Sequence, residues 1–231
     1  MRALLAAALL LPAQAAAPPA ATITGKVTAV EGETQKKIRS SIRYVGQGIE
    51  KRKDPDPSPA VVLLEGVPPS KVQGKTAEIR QEGLEFRPRI LVVQTGTTVK
   101  FPNGDDLFHS VFSFSKAKRL NLGRYPKGDS KEETFETRGR VDLFCDIHKH
   151  MRGFIHIVDN PHFALCKEDG TYSIAGVPPG KYTLVVWKEF FDEVRLPVEV
   201  KADGAKVDVS LAKLEERPAG RELVAGCCSA R

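Results

Sequence analysis

A short segment of the chain carries three side chains that commonly bind metals. Cys145, His148 and Met151 lie within seven residues, and a second imidazole, His109, precedes them on an earlier loop. Thiolate and thioether sulfur suit Cu(I), and imidazole binds both oxidation states of copper. Two histidines, one cysteine and a weak axial methionine form the ligand set of blue-copper electron-transfer sites. The sequence therefore predicts one copper ion bound by His109, Cys145, His148 and Met151.

Other interpretations of these residues stay open at this point. Cys145 and His148 are also half of a zinc site, although zinc needs a second pair of nitrogen or sulfur ligands and thioether serves it poorly. Met151 is equally a residue type that fills cores. Copper binding requires His109 to approach Cys145, with a ring nitrogen within roughly 5 Å of the sulfur.

Four protein ligands leave no open coordination position, whereas catalytic metal sites keep one for substrate. The sequence also shows no nucleophile–base pair. Asp105 and Asp106 form no separated acid–base pair, and we expect them to serve loop solvation or local turn hydrogen bonds. We therefore expect an electron carrier and not an enzyme. Lys149, His150 and Arg152 flank His148 and predict a basic rim that docks an acidic redox partner.

The segment around the ligands predicts a framework of short strands. Between residues 75 and 158, short β-rich runs alternate with Gly, Pro, Asn or Asp, the pattern of an all-β sandwich or small barrel. Val141 and Leu143 should share one face of a strand that ends at Cys145, and Gly153 should open the closing strand. On that closing strand His156 alternates with apolar residues, which predicts that it is exposed.

Strand patterns also occur on both sides of this segment. Residues 22–28 and 60–65 precede it, and alternating runs follow from residue 171 to residue 211. Together they predict a second small antiparallel sandwich. In one arrangement the ligand-bearing segment is inserted into this sandwich, between its early and late strands. In the other, an N-terminal arm is followed by two consecutive domains. We expect the insertion.

The motifs carry two family resemblances. Cys-x-x-His-x-x-Met-Arg-Gly at residues 145–153, with the stretch 96–103 and His109-Ser110-Val111, resembles the ligand loops of amicyanin-type cupredoxins. The resemblance implies a Greek-key sandwich over residues 75–159, the same four copper ligands, and a partner such as an amine dehydrogenase or a c-type cytochrome. One departure is Ser110, since cupredoxins usually place Asn after the first ligand histidine, and that Asn helps to tie the two ligand loops together.

The flanking motifs are similar to carboxypeptidase regulatory-like (transthyretin-like) domains. They are Thr24-Gly25-Lys26-Val27, Asp169-Gly170-Thr171-Tyr172 and Val177-Pro178-Pro179-Gly180. This resemblance implies a discontinuous domain formed by residues 22–74 and 160–213. Outside these two domains, we expect a signal peptide at residues 1–17 and a C-terminal tail at residues 214–231.

Composition and targeting signals narrow the setting. One positive charge, a short apolar run and small residues at the N-terminus predict export to the periplasm or secretion, with no membrane span. The formal net charge of +6 is mild and scattered, which favours acidic partners over nucleic acid. Cys166, Cys227 and Cys228 have no assigned role: a tail with incidental thiols, a soft-metal transfer role and pairing with Cys166 all stay open.

Two further functions compete with electron transfer. The same ligands could serve a copper carrier or storage protein, or the sandwiches could form a metal-free binding protein. An electron carrier should show reversible one-electron cycling, whereas a copper carrier should release Cu(I) rapidly to a chelator. The metal content of the purified protein tests for a metal-free binding protein.

Overall fold

A computed structural model describes residues 20–29 and 58–212. Within these ranges every regular element is a strand, so the all-β prediction is confirmed. The predicted signal peptide, the basic stretch of residues 31–53 and the tail with Cys227 and Cys228 lie outside the described residues. No helix among the described residues is long and apolar enough to span a membrane.

Strands from residue 76 to residue 158 pair only with one another. A five-stranded sheet has the order β6-β12-β11-β8-β9, with β6 and β12 parallel and the other neighbours antiparallel. A three-stranded sheet has the order β10-β7-β3, and β4 and β5 form a separate pair. The strands are β3 (Thr76–Glu78), β4 (Arg80–Gln81), β5 (Phe86–Arg87), β6 (Ile90–Gln94), β7 (Thr97–Pro102), β8 (His109–Phe114), β9 (Arg119–Tyr125), β10 (Ser130–Phe135), β11 (Gly139–Phe144) and β12 (Arg152–Val158).

These sheets enclose a single apolar cluster. Alternation along β11 sends Val141 and Leu143 inward, as the sequence predicts, while Asp142 and Phe144 face outward. Val99 and Phe101 enter the same cluster from the opposite sheet. The cluster extends to Cys145 and Met151, so the ligand loop closes one end of this core.

The remaining strands form two further sheets. One contains β14, β1 and β17, with β18 also paired to β1, and the other has the order β13-β2-β15-β16. The strands are β1 (Ala21–Ala29), β2 (Val61–Glu65), β13 (Phe163–Leu165), β14 (Thr171–Val177), β15 (Gly180–Trp187), β16 (Val194–Val200), β17 (Ala205–Lys206) and β18 (Val209–Leu211). We call these strands the outer sandwich and those of residues 76–158 the inner sandwich. Since β1 and β2 precede the inner sandwich and their partners follow it, the chain leaves the outer sandwich and returns to it.

The two sandwiches share a small apolar interface. Val61 and Trp187 of the outer sandwich pack with Ile90 and Phe154 on the outward face of the five-stranded sheet. Beside them, Arg89 reaches the nearly buried carboxylate of Glu189, with an N–O distance of 2.8 Å. One side of the inner sandwich is therefore covered by the other half of the molecule.

This interface overturns the prediction that His156 is exposed. Its side chain is 5% exposed, and its ring centroid lies 4.6 Å from that of Trp187. Burial, followed by the charge of Arg140, lowers the pKa of His156 to about 3. Alternation along β12 does place His156 opposite the inner core, but the outer sandwich occupies the space where solvent was expected.

Candidate metal centre

The predicted ligands meet because β8 and β11 are antiparallel neighbours. Phe144, the last residue of β11, pairs with Phe112 of β8, so the chain that follows β11 runs toward the start of β8. His109 begins β8 and Cys145 directly follows β11. Phe144 also pairs with Arg152, and residues 145–151 form the tight loop between β11 and β12.

Three of the predicted ligands form a cluster of nitrogen and sulfur atoms. The Sγ of Cys145 lies 4.0 Å from the Nδ1 of His109 and 3.9 Å from the Nδ1 of His148. The two Nδ1 atoms are 3.1 Å apart. Cys145 is 3% exposed and His109 is fully buried. The distance that copper binding requires between His109 and Cys145 is therefore met.

These separations fit three ligands around one ion. Two imidazole nitrogens and one cysteine sulfur at these separations could hold a single copper ion. The same three atoms would be three of the four ligands of a zinc site.

Met151 is buried at the end of the ligand loop. Its side chain is 1% exposed and belongs to the same apolar cluster as Cys145. Its backbone N–H donates to the carbonyl oxygen of His148 at 2.9 Å, which closes a turn between the two predicted ligands. Met151 as a copper ligand stays a prediction.

Asp105 orients the first imidazole, a role the sequence analysis missed. Its Oδ2 lies 2.9 Å from the Nε2 of His109. A hydrogen bond from Nε2–H to this carboxylate leaves the lone pair of Nδ1 directed at Cys145 and His148. The sequence offers one signal for this role, a carboxylate four residues before a predicted ligand histidine. It does not show that the loop brings the two side chains together.

The Asp105 carboxylate is itself fixed by backbone donors. The N–H groups of Gly83 and Leu84 donate to its two oxygens at 2.6 Å and 2.8 Å. Leu84 adopts a positive φ of 61°, a costly conformation for a residue other than glycine. Burial alone would raise the pKa of Asp105, but the hydrogen bonds from Leu84, His109 and Gly83 outweigh it and lower that pKa.

Ser110 links the two ligand loops, although the cupredoxin pattern expects Asn there. Its Oγ accepts a hydrogen bond from the backbone N–H of Asp146 at 2.9 Å. The hydroxyl donates to the carboxylate of Asp146, and its Oγ lies 3.8 Å from the Sγ of Cys145. A serine therefore makes the connection between the loops that the sequence left in doubt.

Asp146 extends this link to the surface. Its Oδ2 accepts a hydrogen bond from the Nε of Arg124 at 3.0 Å and lies 2.9 Å from another guanidinium nitrogen of the same residue. The hydrogen bond from Ser110, followed by that from Arg124, lowers the pKa of Asp146. Asp146 is thus held as a carboxylate one residue from the predicted thiolate ligand.

His148 lies at the outer side of the cluster. It is only partly buried, and burial, followed by the nearby charges of His109 and His150, lowers its pKa. A neutral imidazole presents the lone pair that a metal requires. Three exposed apolar side chains adjoin the predicted ligands in the sequence: Leu107 (50% exposed) and Phe108 (56%) precede His109, and Ile147 (38%) precedes His148.

The predicted basic rim is uneven. Lys149 is exposed, and the ring of His150 lies 6.2 Å from that of His148. Arg152 instead packs its guanidinium over Phe144 and Phe154, 5.3 Å and 5.7 Å from the ring centroids. Its Nε is buried without a hydrogen-bond partner. Arg152 therefore packs against the sheet, while Lys149 carries the exposed charge.

Comparisons with solved structures return copper proteins over part of the chain. A copper-containing nitrite reductase (NirK) from Thermus scotoductus SA-01 is 25% identical over 40% of this chain and 25% of its own, with a TM-score of 0.35. A reduced amicyanin variant is 20% identical over 42% of this chain and 97% of its own, with a TM-score of 0.34. A purple cupredoxin from Nitrosopumilus maritimus is 25% identical over 35% of this chain and 98% of its own, with a TM-score of 0.32.

No family model and no curated protein matches the sequence. The structural similarities are partial and low in score, so we base the functional conclusion on the geometry of the site itself.

Proposed function

We propose that this protein is an exported type 1 copper protein that transfers single electrons between redox partners. His109, Cys145 and His148 would hold one copper ion, with Met151 as the fourth and weakest ligand. A copper ion in such a site supplies a Cu(I)/Cu(II) couple. The observation that carries this proposal is the triangle of Sγ and two Nδ1 atoms, with sides of 3.1, 3.9 and 4.0 Å.

The surroundings support electron transfer over chemistry on a substrate. His109 and Cys145 are buried, so two of the ligands are closed to small molecules. The ligand loops are tied by Ser110 and by the contact between Asp105 and His109. Rigid ligands change little between oxidation states, which keeps the reorganisation that accompanies electron transfer small.

The partly exposed His148 is the proposed point of electron exit. Leu107, Phe108 and Ile147 offer exposed apolar side chains on the two ligand loops, and Lys149 and His150 add polar and basic groups next to His148 in the chain. Apolar contact allows close approach, while positive charge raises the rate of encounter with an acidic partner. We therefore propose an acidic periplasmic redox protein, such as a c-type cytochrome or an amine dehydrogenase, with Arg152 supporting the rim from beneath.

Strand pairing supports a discontinuous outer domain. β1 pairs with β14, β17 and β18, and β2 pairs with β13 and β15. The proposal is that residues 75–159 form a cupredoxin domain inserted between the two parts, 22–74 and 160–213, of a regulatory-like sandwich.

Electrochemistry and copper retention together test the function. Protein purified with one equivalent of copper is examined by voltammetry and then, once reduced, mixed with a Cu(I) chelator. An electron carrier gives a reversible one-electron wave and releases copper slowly. Rapid and complete transfer to the chelator without a reversible wave identifies a copper carrier, and protein that binds no copper refutes the proposal.

A further inference from the structure

The geometry points to a further tuning residue: Asp146 sets the reduction potential of the copper site by holding the hydroxyl proton of Ser110 away from the Cys145 sulfur. This inference rests on the proposed copper function. It concerns two residues that need not bind the metal, and one of them departs from the cupredoxin pattern. Ser110 and Asp146 act here as positioning residues.

The hydroxyl of Ser110 has two acceptors but one proton. Its Oγ lies 3.8 Å from the Sγ of Cys145 and within short hydrogen-bond distance of a carboxylate oxygen of Asp146. A hydroxyl donates a single hydrogen bond at a time. The carboxylate is both closer and a stronger acceptor, because charge-assisted O–H···O bonds are short and strong.

Two further contacts hold this arrangement in place. The backbone N–H of Asp146 donates to the Oγ of Ser110 at 2.9 Å, which occupies a lone pair and orients the hydroxyl. Arg124 binds the other carboxylate oxygen of Asp146 at 2.9 Å. Ser110 is 2% exposed, so solvent offers the hydroxyl no ready alternative partner. The proton therefore points to Asp146, and the sulfur does not receive it.

The direction of this proton matters for the metal. A thiolate carries more negative charge beside Cu(I) than beside Cu(II), because Cu(II) withdraws more electron density from sulfur. A hydrogen bond to the sulfur therefore stabilises the reduced state more, and hydrogen bonding around this sulfur is a known control of potential. By retaining the proton, Asp146 keeps the potential lower than the Ser110 hydroxyl would otherwise set it.

Replacing Asp146 by Asn tests this directly. The neutral amide is nearly isosteric and a weaker acceptor, so the hydroxyl becomes free to turn toward Cys145. We expect the equilibrium constant for reduction of the copper-loaded variant to increase about tenfold, which is about 59 mV for one electron. The thiolate-to-copper absorption band should move to higher energy, because a hydrogen bond lowers the energy of the donor orbital on sulfur.

A double-mutant cycle separates the proton from the charge. Removing a carboxylate raises the potential on its own, so Asp146→Asn is measured in the wild type and in a Ser110→Ala background. If Ser110 transmits the effect, most of the potential shift and the band shift disappear in the Ser110→Ala background. Ser110→Ala alone should leave the potential nearly unchanged, because in the wild type its proton already points away from sulfur.

The outcomes discriminate clearly. If Asp146→Asn shifts the potential equally in both backgrounds, the effect is purely electrostatic and the inference is wrong. A large fall in potential in Ser110→Ala alone would also overturn it. This second comparison does not need Asp146→Asn to fold. A wild type that gives no thiolate-to-copper band overturns the proposed function and this inference with it. A wild type that gives the band but lacks the predicted coupling overturns the inference alone.

Discussion

Among the described residues each sandwich buries one cysteine and one tyrosine, but only Cys145 lies close to two imidazoles. Cys145 and Tyr125 of the inner sandwich are 3% and 1% exposed, and Cys166 and Tyr172 of the outer sandwich are 7% and 4% exposed. Cys145 faces two imidazole nitrogens at 3.9 and 4.0 Å. Cys166 lies in an apolar cluster, where burial raises its thiol pKa to about 11.

The difference shows that burial alone does not create a ligand. A thiol becomes a metal ligand as a thiolate, and metal binding requires neutral imidazoles whose second nitrogen is held by another group. Asp105 holds the second nitrogen of His109, and the hydrogen bond between Asp146 and Ser110 ties together the loops that carry Cys145 and His109. In contrast, the described contacts of Cys166 are a backbone hydrogen bond to Ala60 and apolar packing.

The largest expected effect tests whether the outer sandwich supports the inner one. Trp187 is 6% exposed and packs against Phe154 and His156 across the interface. Trp187→Ala should lower the free energy of unfolding by about 3–5 kcal/mol, because it leaves a cavity between the sandwiches. Chemical denaturation measures this, with Leu165→Ala, at a position 43% exposed, as the matched surface change. Equal losses in the two variants would show that the sandwiches are energetically independent.

A second expectation concerns the pH dependence of the same interface. His156 has a folded-state pKa of about 3 against an ordinary value of 6.5, so the unfolded chain takes up a proton that the folded chain excludes. The stability that the neutral His156 gives the folded state is therefore fully present above pH 6.5 and is lost as the pH falls toward 3. Apo wild type should therefore lose about 1.4 kcal/mol per pH unit more than His156→Leu between pH 6 and pH 4. Parallel unfolding free energies for the two proteins over this range would contradict the buried neutral histidine.

A third prediction addresses the support that distinguishes Cys145 from Cys166. Asp105→Asn places an amide where the His109 Nε2–H and two backbone N–H groups now meet a carboxylate. We expect copper affinity to fall about 10–100-fold, measured by competition with a chelator. Asp106→Asn is the matched comparison, since Asp106 is 86% exposed and pairs with Lys127. If both variants bind copper equally well, Asp105 does not position the imidazole.

The smallest expected effect concerns the docking edge near His148. Lys149→Glu should slow oxidation of the Cu(I) protein by the anion hexacyanoferrate(III) about threefold at low ionic strength, because it removes positive charge beside the exit point. The difference should shrink at high salt as the charges are screened. Lys201→Glu, an exposed change in the outer sandwich, should have less effect. If both variants slow the oxidation equally, the cause is the net charge of the protein and not a docking edge near His148.

The sequence predicted the elements better than it predicted their surroundings. Alternation correctly placed Val141 and Leu143 inside, and the spacing of Cys145, His148 and Met151 reflects a tight loop between paired strands. Such features depend on neighbouring residues and on strand ends.

What escaped prediction depends on groups brought together from distant parts of the chain. His156 is buried by Trp187, a residue of the other sandwich. The role of Asp105 depends on N–H groups of Gly83 and Leu84, in a turn more than twenty residues away. Ser110 links the ligand loops through hydrogen bonds with Asp146, which is 36 residues away in the chain. None of these contacts has a periodic signal in the sequence.

Addition of Cu(II) to the purified protein tests the central claim most directly. The intense visible band of thiolate-to-copper charge transfer should appear and reach its maximum at one equivalent in the wild type and in Cys166→Ser. It should be absent in Cys145→Ser, whose hydroxyl cannot replace the thiolate. A wild type without this band, or a band that survives Cys145→Ser, would contradict a copper centre built on Cys145, His109 and His148.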